Sequence, residues 1–516
     1  MLSAIIFLPL AGAVLTALLS KSRPEAARWI ALGVTAADLL LTAVALLRFD
    51  VAGGFQMTER FDWVPQAQIQ YFLTVDGISI VLVALSALLT MLAVLASWKI
   101  DNKPGFYFTM ILLLEVGMNG VFCAEDFVLF YVFWELVLVP MYFLIAVWGG
   151  PRRSYASIKF FLYTLFGSVF MLVGILALYL HPNGGTFDML QLAKANLPAS
   201  FQWWVFGAFF LGFAVKVPVW PLHTWLPDAH VEAPTAGSVL LAGIMLKMGT
   251  YGFIRVSLPI LPQATQSWAW FIGLLAVISI IYGAAVAFAQ TDLKKLVAYS
   301  SVSHMGFVML GIASGTAAGL NGAVTVMIAH GLITGMMFLL VGMIYERAHT
   351  RMITEVTGLS KQAPIAGGLL AFASFASLGL PGLAGFPGEF LSLLGAWQST
   401  LIPHWMTIAS AVGVLLAAAY MLYMVQRVVL GEPSQKVASI TDLTRLEIGV
   451  IGPLVALIVL IGVYWSSLLR YVDPAVNALL ATMGATQHDR LRSAASRDPI
   501  VGRCASRTVW RVAARA

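Results

Sequence analysis

The sequence is poor in charged residues and in cysteines for its length. Only 10% of its 516 residues are Asp, Glu, Lys or Arg, whereas a soluble domain carries about 25%. Its two cysteines, Cys123 and Cys504, exclude a disulfide framework, Cys-ligated iron–sulfur clusters and CxxC zinc sites. No Walker A loop and no strand–GxGxxG–helix unit occurs, so no nucleotide site is visible.

The positive net charge does not indicate a nucleic-acid partner. The formal net charge is +6, and the segment 481–516 holds seven arginines and two aspartates, so nearly all of the excess lies there. We predict that this Arg-rich tail is disordered and that the chain binds no nucleic acid.

Apolar windows of about 20 residues dominate the rest of the chain, which is 60% hydrophobic. They predict an all-α polytopic membrane protein with about fourteen transmembrane helices in the lipid bilayer. The predicted spans lie near 2–19, 29–47, 76–97, 106–124, 127–148, 160–180, 203–225 (broken), 235–255, 268–289, 296–314, 319–344, 364–400 (broken), 403–426 and 447–469. No basic residue precedes the first span, which favours a retained helix over a cleaved signal peptide.

The distribution of Lys and Arg between loops predicts the orientation. Sixteen of these residues lie in the loops after spans 1, 3, 5, 9, 11 and 13, against five in the loops of the opposite face. By the positive-inside rule, the first set faces the cytoplasm and both termini face outward, on the periplasmic side of a bacterial inner membrane. The arginines of the tail oppose this trend.

Spans 4–8 and 9–13 have the character of two copies of one five-helix unit. The fourth span of each copy is interrupted by prolines, at Pro218 and Pro221 and at Pro381 and Pro387. Because five is odd, the copies insert with opposite topology, and inverted repeats with broken helices are typical of ion-coupled transporters. The predicted units are N-terminal helices (1–105), a first repeat (106–256), a second repeat (257–427), a final span (428–480) and the tail (481–516).

Three ionisable residues fall near the middle of the hydrocarbon layer. These are Glu135 in span 5, Lys216 in span 7 and Lys247 in span 8. An isolated charge there costs at least ~2.5 kcal/mol, so each is a functional-site candidate. Pro218 and Pro221 cannot donate hydrogen bonds to the carbonyls four residues earlier, beside Lys216. A Lys216 with a movable carboxylate partner would bind and release protons. The alternative is a static Glu135–Lys216 pair that ties two helices.

Four further residues are candidates for proton transfer. His304 and His330 are predicted at similar depth on neighbouring spans and could relay protons, or form a helix–helix hydrogen bond. Glu389 follows the second break, where it could carry protons or cap a half-helix. Glu115 in span 4 is a secondary candidate. Glycines recur every third residue before Glu389, which would allow close helix packing at positions 379, 382, 385 and 388.

The loop HTWLPDAHVEAP (223–234) mixes histidines with carboxylates. Its spacing matches no recognised zinc pattern, so we predict no metal in this chain.

Five motifs resemble one known family. They are WELVLVPMYFLI (134–145), FAVKVPVWPLHTWLPDAHVEAPTAGSVLLAGIMLKMG (213–249), KKLVAYSSVSHMGF (294–307), HGLITGMMFLLVG (330–342) and GLPGLAGFPGEF (379–390). Over roughly residues 70–470 the chain resembles the antiporter-like subunits of proton-pumping NADH–quinone oxidoreductase (respiratory complex I), in particular the subunit M (chain 4) group. The resemblance does not extend to the Arg-rich tail.

The resemblance implies roles for the candidate residues. Glu135 and Lys216 match the family's ion pair, and Lys247 its central connecting lysine. His304 and His330 match its polar axis, and Glu389 its terminal proton carrier. A glutamate at that last position favours subunit M over the sister subunits L and N, where lysine is usual.

The resemblance also implies an assembly around the chain. This subunit would hold no cofactor of its own, while FMN, iron–sulfur clusters and quinone would belong to partner subunits, and subunits L and N would be neighbours in the membrane arm. Two alternatives stay open. One is a subunit of a multi-subunit Na⁺/H⁺ antiporter or a membrane-bound hydrogenase, and the other is a passive scaffold in which the buried charges only lock helices together.

Overall fold

The computed structural model of the protein describes residues 1–20 and 23–497, and these form a helical membrane domain with one β-hairpin. The prediction of an all-α polytopic fold is confirmed in its class. The chain is therefore an integral, multi-pass membrane protein. Cys504 and residues 498–516 of the predicted tail lie outside the described residues.

Fifteen helices lie between residues 2 and 314 of the described chain, several of them segments of one broken or bent span. They are α1 (Leu2–Leu19), α2 (Ala26–Arg48), α3 (Gly77–Ala96), α4 (Pro104–Cys123), α5 (Phe127–Leu136), α6 (Leu138–Trp148), α7 (Arg153–Leu180), α8 (Met189–Leu192), α9 (Ala199–Lys216), α10 (Trp225–Glu232), α11 (Thr235–Leu240), α12 (Leu246–Gly252), α13 (Leu258–Ile260), α14 (Pro262–Phe288) and α15 (Leu293–Ser314).

Seven more helices complete the described chain. They are α16 (Ala317–Ala348), α17 (Leu359–Gln362), α18 (Pro364–Ser377), α19 (Gly385–Gln398), α20 (His404–Met424), α21 (Arg445–Val463) and α22 (Ser466–Arg497). Three π-helical turns interrupt or extend these helices, at Leu241–Met245, Phe253–Ser257 and Val425–Val429.

Within the described ranges, twelve helices are long and apolar enough to cross a membrane. The two further predicted spans correspond to the broken pairs α9–α10 and α18–α19, which are not among the twelve. The count of fourteen, the inverted relation of the repeats and the unit boundaries stay predictions.

The most deeply buried helices form the centre of the domain. Every residue in the apolar windows of the segment Thr235–Ile260 and of α16 is buried, and α15 is almost as enclosed, whereas most of α2 and α21 faces outward. The central helices also carry Lys247, His304 and His330. These side chains are therefore enclosed by protein rather than placed against lipid.

The β-hairpin lies on the face opposite the loops rich in Lys and Arg, and we call this face the hairpin face. Strands β1 (Gln56–Val64) and β2 (Ile69–Val75) pair antiparallel around a 3₁₀ turn at Pro65–Ala67. Threonine, valine and aromatic side chains in this stretch favour a pleated strand. The sequence analysis anticipated helices only and missed the hairpin.

Helix α22 runs along the hairpin face. The Cα of Gly77, at the start of α3, lies so close to the carbonyl of Tyr471 that a Cβ atom would overlap it, and Asp473 accepts a hydrogen bond from Asn321, near the start of α16 (2.6 Å). Residues 481–497, predicted to be disordered, continue this helix. Their alanine, leucine and methionine residues favour a helix. The prediction of disorder was based on the arginine content and did not take these residues into account.

The second break is built by glycines with two different functions. Gly379 and Gly382 adopt left-handed φ angles of +80° and +92°, which L side chains rarely adopt, and form the turn between α18 and α19. Gly388 packs α19 against α16, because a Cβ there would lie 2.7 Å from the backbone nitrogen of Val326. Close packing, expected for all four glycines, applies to Gly388 and to Gly385, which abuts the carbonyl of Ala376.

Candidate functional site

Lys247 is the centre of a buried polar row. Its side chain is fully enclosed, and its Nζ atom lies 2.7 Å from Nδ1 of His330 on α16. The Lys247 ammonium also donates to the carbonyl of Ala242, which belongs to the π-helical turn Leu241–Met245. Turns of this kind widen a helix locally and occur often at functional sites. The turn thus supplies a carbonyl acceptor to the buried lysine.

His330 and His304 continue the row between α16 and α15. Their ring centroids are 5.8 Å apart, and Nε2 of His330 has no hydrogen-bond partner. A cavity of about 10 Å³ lies beside both rings and is bounded by Ser377 and Glu389 among others. This volume is close to the smallest that holds one water molecule. The two histidines, which were predicted on neighbouring spans, thus lie side by side in the structure.

Glu389 ends the row. Its Oε1 atom lies 2.9 Å from Nδ1 of His304, and Nε2 of His304 lies 3.1 Å from Oγ of Ser377. Glu389 is the fifth residue of α19, which begins without a side-chain cap. The alternative of a helix-capping carboxylate is thus wrong, because its oxygen is used for a contact with another helix.

Glu135 and Lys216 lie near the row but do not form an ion pair. Lys216 is buried, its Nζ has no hydrogen-bond partner, and it lies 5.3 Å from the ring centroid of Trp134. Oε1 of the half-buried Glu135 is also without a partner. The two groups still interact electrostatically. The alternative of a static Glu135–Lys216 tie is therefore wrong for this structure, since Nζ of Lys216 and Oε1 of Glu135 both lack a hydrogen-bond partner.

The first break is enclosed and hydrogen-bonded. The carbonyl of Ala214, expected to be free because of Pro218, accepts from the amide of Val219 at 2.9 Å. The amide of Trp220 donates to Oγ of Ser279 on α14 (3.0 Å). Irregular backbone at membrane depth is tolerated where protein surrounds it in this way. The Nζ atom of Lys216, in contrast, is left without a hydrogen-bond partner at this end of α9.

Glu115 lies apart from the row, beside a residue that the sequence analysis missed. Asp38 on α2 is fully buried, accepts a hydrogen bond from Asn119 (3.2 Å), and interacts electrostatically with Glu115. An aspartate within an apolar helix is itself a signal of function. The hydropathy of the span concealed it, because one acidic residue barely changes the average over such a window.

The sequence analysis considered His230 only as part of a possible metal site. It is fully buried, its ring stacks on Phe338 with centroids 4.6 Å apart, and neither ring nitrogen has a hydrogen-bond partner. It interacts electrostatically with Lys247. Its neighbour Asp228 forms an ion pair with Lys159 at 2.7 Å. No group of three metal-ligating side chains occurs in the described part of the chain, at this loop or elsewhere.

Sequence similarity to known proteins identifies the family of this chain. The chain is 44% identical over 499 residues to NADH-quinone oxidoreductase subunit M of Rhodobacter capsulatus, a match that covers 93% of this chain and 96% of the relative. It is 41% identical to the subunit M of Rickettsia conorii, over 92% of this chain and 97% of that protein. The chain belongs to the NADH-quinone oxidoreductase subunit M family.

Two family models together match most of the sequence. Residues 124–417 match the family described as NADH:quinone oxidoreductase/Mrp antiporter, TM, and residues 2–118 match NADH-ubiquinone oxidoreductase chain 4, amino terminus. The first range includes every residue of the buried row together with Glu135 and Lys216. The second includes Asp38 and Glu115.

Solved structures share the subunit M fold. A chain of respiratory complex I from Thermus thermophilus with bound NADH superposes with a TM-score of 0.86 at 32% identity, covering 94% of this chain and all of that chain. A chain of an archaeal membrane-bound sulfane sulfur reductase has a TM-score of 0.81 at 22% identity, covering 93% of this chain and 99% of that one. The Mrp complex from Dietzia has a TM-score of 0.79 at 23% identity, over 93% of this chain and 52% of that chain.

Proposed function

We propose that the chain is a proton-translocating subunit in the membrane arm of NADH–quinone oxidoreductase. The observation that carries this proposal is the buried row from Lys247 through His330 and His304 to Glu389, in which each neighbour is within hydrogen-bond or one-water reach. Titratable groups arranged in this way pass protons by exchanging hydrogen-bond donors and acceptors.

Each member of the row has a distinct role. Lys247 binds a proton as an ammonium and exchanges it with His330, and a water molecule between the rings links His330 with His304. Glu389 exchanges protons at the far end. Glu135 loads Lys216, because a carboxylate that approaches a buried ammonium stabilises its charged form and one that withdraws favours proton release. Glu115 is a secondary proton-binding group.

The redox chemistry belongs to other subunits of the assembly. FMN, iron–sulfur clusters and the quinone site lie in partners, and quinone reduction there drives the change in the membrane arm. Among these partners, the sister antiporter-like subunits L and N are the proposed neighbours of this chain. The proposed location is the bacterial inner membrane with both termini on the periplasmic side, in accord with the bias of Lys and Arg between the two faces.

The experiment measures quinone-coupled proton pumping in membrane vesicles that contain assembled complex. Lys216→Met and Glu135→Gln each remove one titratable group and are expected to abolish pumping. Lys436→Met, which neutralises an exposed lysine in the loop before α21, is the control and should retain it. Full pumping in both site variants would refute the mechanism.

A second candidate function rests on the fold shared with the Mrp complex and the sulfane sulfur reductase. In a Na⁺/H⁺ antiporter the same row would exchange protons without quinone chemistry, and in a membrane-bound hydrogenase it would serve another redox module. Co-purification separates the candidates. An assembly with flavin and iron–sulfur clusters that oxidises NADH supports the proposal, whereas a small all-membrane assembly supports the antiporter.

A further inference from the structure

An arginine on the hairpin face is shared by two buried carboxylates. Nη2 of Arg255 lies 2.6 Å from Oδ2 of Asp76, and its Nε lies 3.1 Å from Oε1 of Glu125. Asp76 precedes α3, Glu125 follows α4, and Arg255 belongs to the π-helical turn Phe253–Ser257. Three separate segments therefore bring one positive and two negative groups together at the end of the central helices.

The two carboxylates differ in how fully their oxygens are used. Oδ1 of Asp76 accepts from the backbone amides of Ile78 and Ser79, and its Oδ2 pairs with Arg255, so both oxygens have structural partners. Glu125 is only 1% exposed, and its Oε2 has no hydrogen-bond partner. Glu125 thus has an oxygen available to a proton, while Asp76 does not.

A cavity of about 260 Å³ lies against these groups. Its charged lining comes from Asp76, Glu125, Arg255 and Lys194, and the last of these is exposed to solvent. Ala478 of α22 also belongs to its lining. Apolar side chains form most of the remaining lining. At ~30 Å³ per molecule this volume has room for several waters, and the four charged side chains offer them hydrogen-bond partners. The cavity thus lies between the buried side chain of Glu125 and the exposed Lys194 on the hairpin face.

Arg255 lies on the same helical element as Lys247 of the buried row. Lys247, Tyr251 and Arg255 follow one another at intervals of four residues and so share one side of the helix. The hydroxyl of Tyr251 accepts from Nε of Arg255 (2.9 Å) and donates to the carbonyl of Phe122 (3.1 Å). The same element thus presents Lys247 to the row at its centre and Arg255 to the cavity at its end.

Burial and the charged groups around Glu125 bring the pKa of its carboxyl close to neutral pH. Burial raises the pKa of Glu125 to about 8, Arg255 opposes this increase, and Asp76 and Asp188 add to it. The other charged groups nearby are Lys194 at the cavity and Arg60, which is paired with Asp188 at 2.6 Å. A carboxyl with this pKa both binds and releases protons near neutral pH.

We propose that Glu125 and the cavity beside it form a proton-exchange site, through which the row headed by Lys247 communicates with the hairpin face. In outward transfer, the carboxyl of Glu125 gives its proton to water in the cavity, and Arg255 holds the carboxylate that remains. A proton from the row then restores the acid. This inference rests on the proposed function.

The test uses assembled complex in vesicles, with NADH oxidation and proton pumping measured together across pH 6 to 9. Glu125→Gln keeps the size and polarity of the side chain and removes its titration, so pumping should fall by at least about tenfold. Glu125→Asp should recover part of the rate. Asp62→Asn removes an exposed carboxylate on the same face and serves as the control.

A second variant keeps every charge. Ala478→Phe fills the cavity from α22 and should slow pumping while leaving Arg255 and both carboxylates in place. A parental pumping rate in either Glu125→Gln or Ala478→Phe, with the complex assembled, overturns the inference. If the parent and Asp62→Asn also fail to pump, the proposed function itself is wrong. The two failures are therefore distinguishable.

Discussion

The Nζ atom of Lys247 lies 2.7 Å from Nδ1 of His330, although the two residues are 83 positions apart in the chain. Lys247 belongs to the first predicted repeat and His330 to the second. Their contact makes one buried polar row out of groups from both repeats. It lies between helices whose residues are almost all enclosed by protein, so lipid and bulk water do not compete with it.

A proton carrier at position 247 must be able to lose its proton. Lys247→Arg keeps the positive charge and the capacity to donate to His330, but a guanidinium does not release its proton in proteins. We therefore expect normal assembly and a loss of pumping of at least about tenfold. The measurement is proton uptake by vesicles normalised to the amount of assembled complex.

The passive scaffold predicts the opposite pattern. If Lys247 only locks α12 to α16, then Lys247→Arg retains activity and Lys247→Met lowers the amount of assembled complex without a selective loss of transport. Quantifying assembly on native gels beside the pumping rate distinguishes the two patterns. Active Lys247→Arg complex would remove the lysine from the transport path.

The contact between Glu389 and His304 predicts a graded series at the far end of the row. Glu389→Gln preserves a hydrogen bond to Nδ1 of His304 but cannot carry a proton, so pumping should fall strongly. Ser377→Ala removes the 3.1 Å contact to Nε2 and leaves both titratable groups in place. Its effect should be several-fold smaller, because only the orientation of the ring is affected. Equal losses would show that ring orientation, rather than titration, controls the rate.

The sequence predicted the members of the row because a charged residue in an apolar span is conspicuous. Lys247, His304, His330 and Glu389 all stood out in this way, and the structure brings all four together. The relation of Glu135 to Lys216 was less predictable. Whether two side chains on packed helices are in contact depends on rotamers and on small shifts between helices, and neither leaves a trace in the spacing of residues.

Three of the residues that sequence reasoning missed share another property. Asp76, Glu125 and Arg255 lie at the ends of spans, where charged residues are ordinary, so none was conspicuous alone. Their significance comes from three distant segments meeting at one cavity.

The hairpin was missed because windows suited to transmembrane helices average over its alternating side chains. Asp38 was missed because the apolar residues around it dominated the same average.

Close packing of α19 on α16 predicts opposite effects at two glycines. A Cβ at Gly388 would lie 2.7 Å from both Cγ2 and the backbone nitrogen of Val326, whereas a Cβ at Gly368 in α18 would meet nothing within 4 Å. Gly388→Ala should therefore destabilise the protein by about 1–3 kcal/mol through overpacking. Gly368→Ala should be neutral or stabilising by up to about 1 kcal/mol, because alanine favours the helix.

Thermal denaturation of the purified complex checks both changes. Gly388→Ala should also lower pumping, because α19 carries Glu389 and its displacement lengthens the contact with His304. Stability and pumping unchanged in Gly388→Ala would mean that α19 can move away from α16 without consequence, contrary to the packing described above.

The ion pair of Arg347 with Glu447 predicts a measurable coupling between α16 and α21. Two parallel contacts, Nη1 to Oε1 (2.9 Å) and Nη2 to Oε2 (2.6 Å), join side chains that are only 13% and 12% exposed. A bidentate pair of this kind is stronger than an exposed one. A double-mutant cycle with Arg347→Met and Glu447→Gln should give a coupling of about 1–3 kcal/mol.

The pair of Lys361 with Glu432 is the matched control, since its side chains are 54% and 84% exposed. Solvent screens such a pair and side-chain entropy opposes it, so its coupling should stay below about 1 kcal/mol. Both cycles can be measured as unfolding free energies in the same detergent. If the two pairs couple equally, then burial and bidentate geometry do not strengthen the contact, and α21 must be held against α16 by its apolar side chains alone.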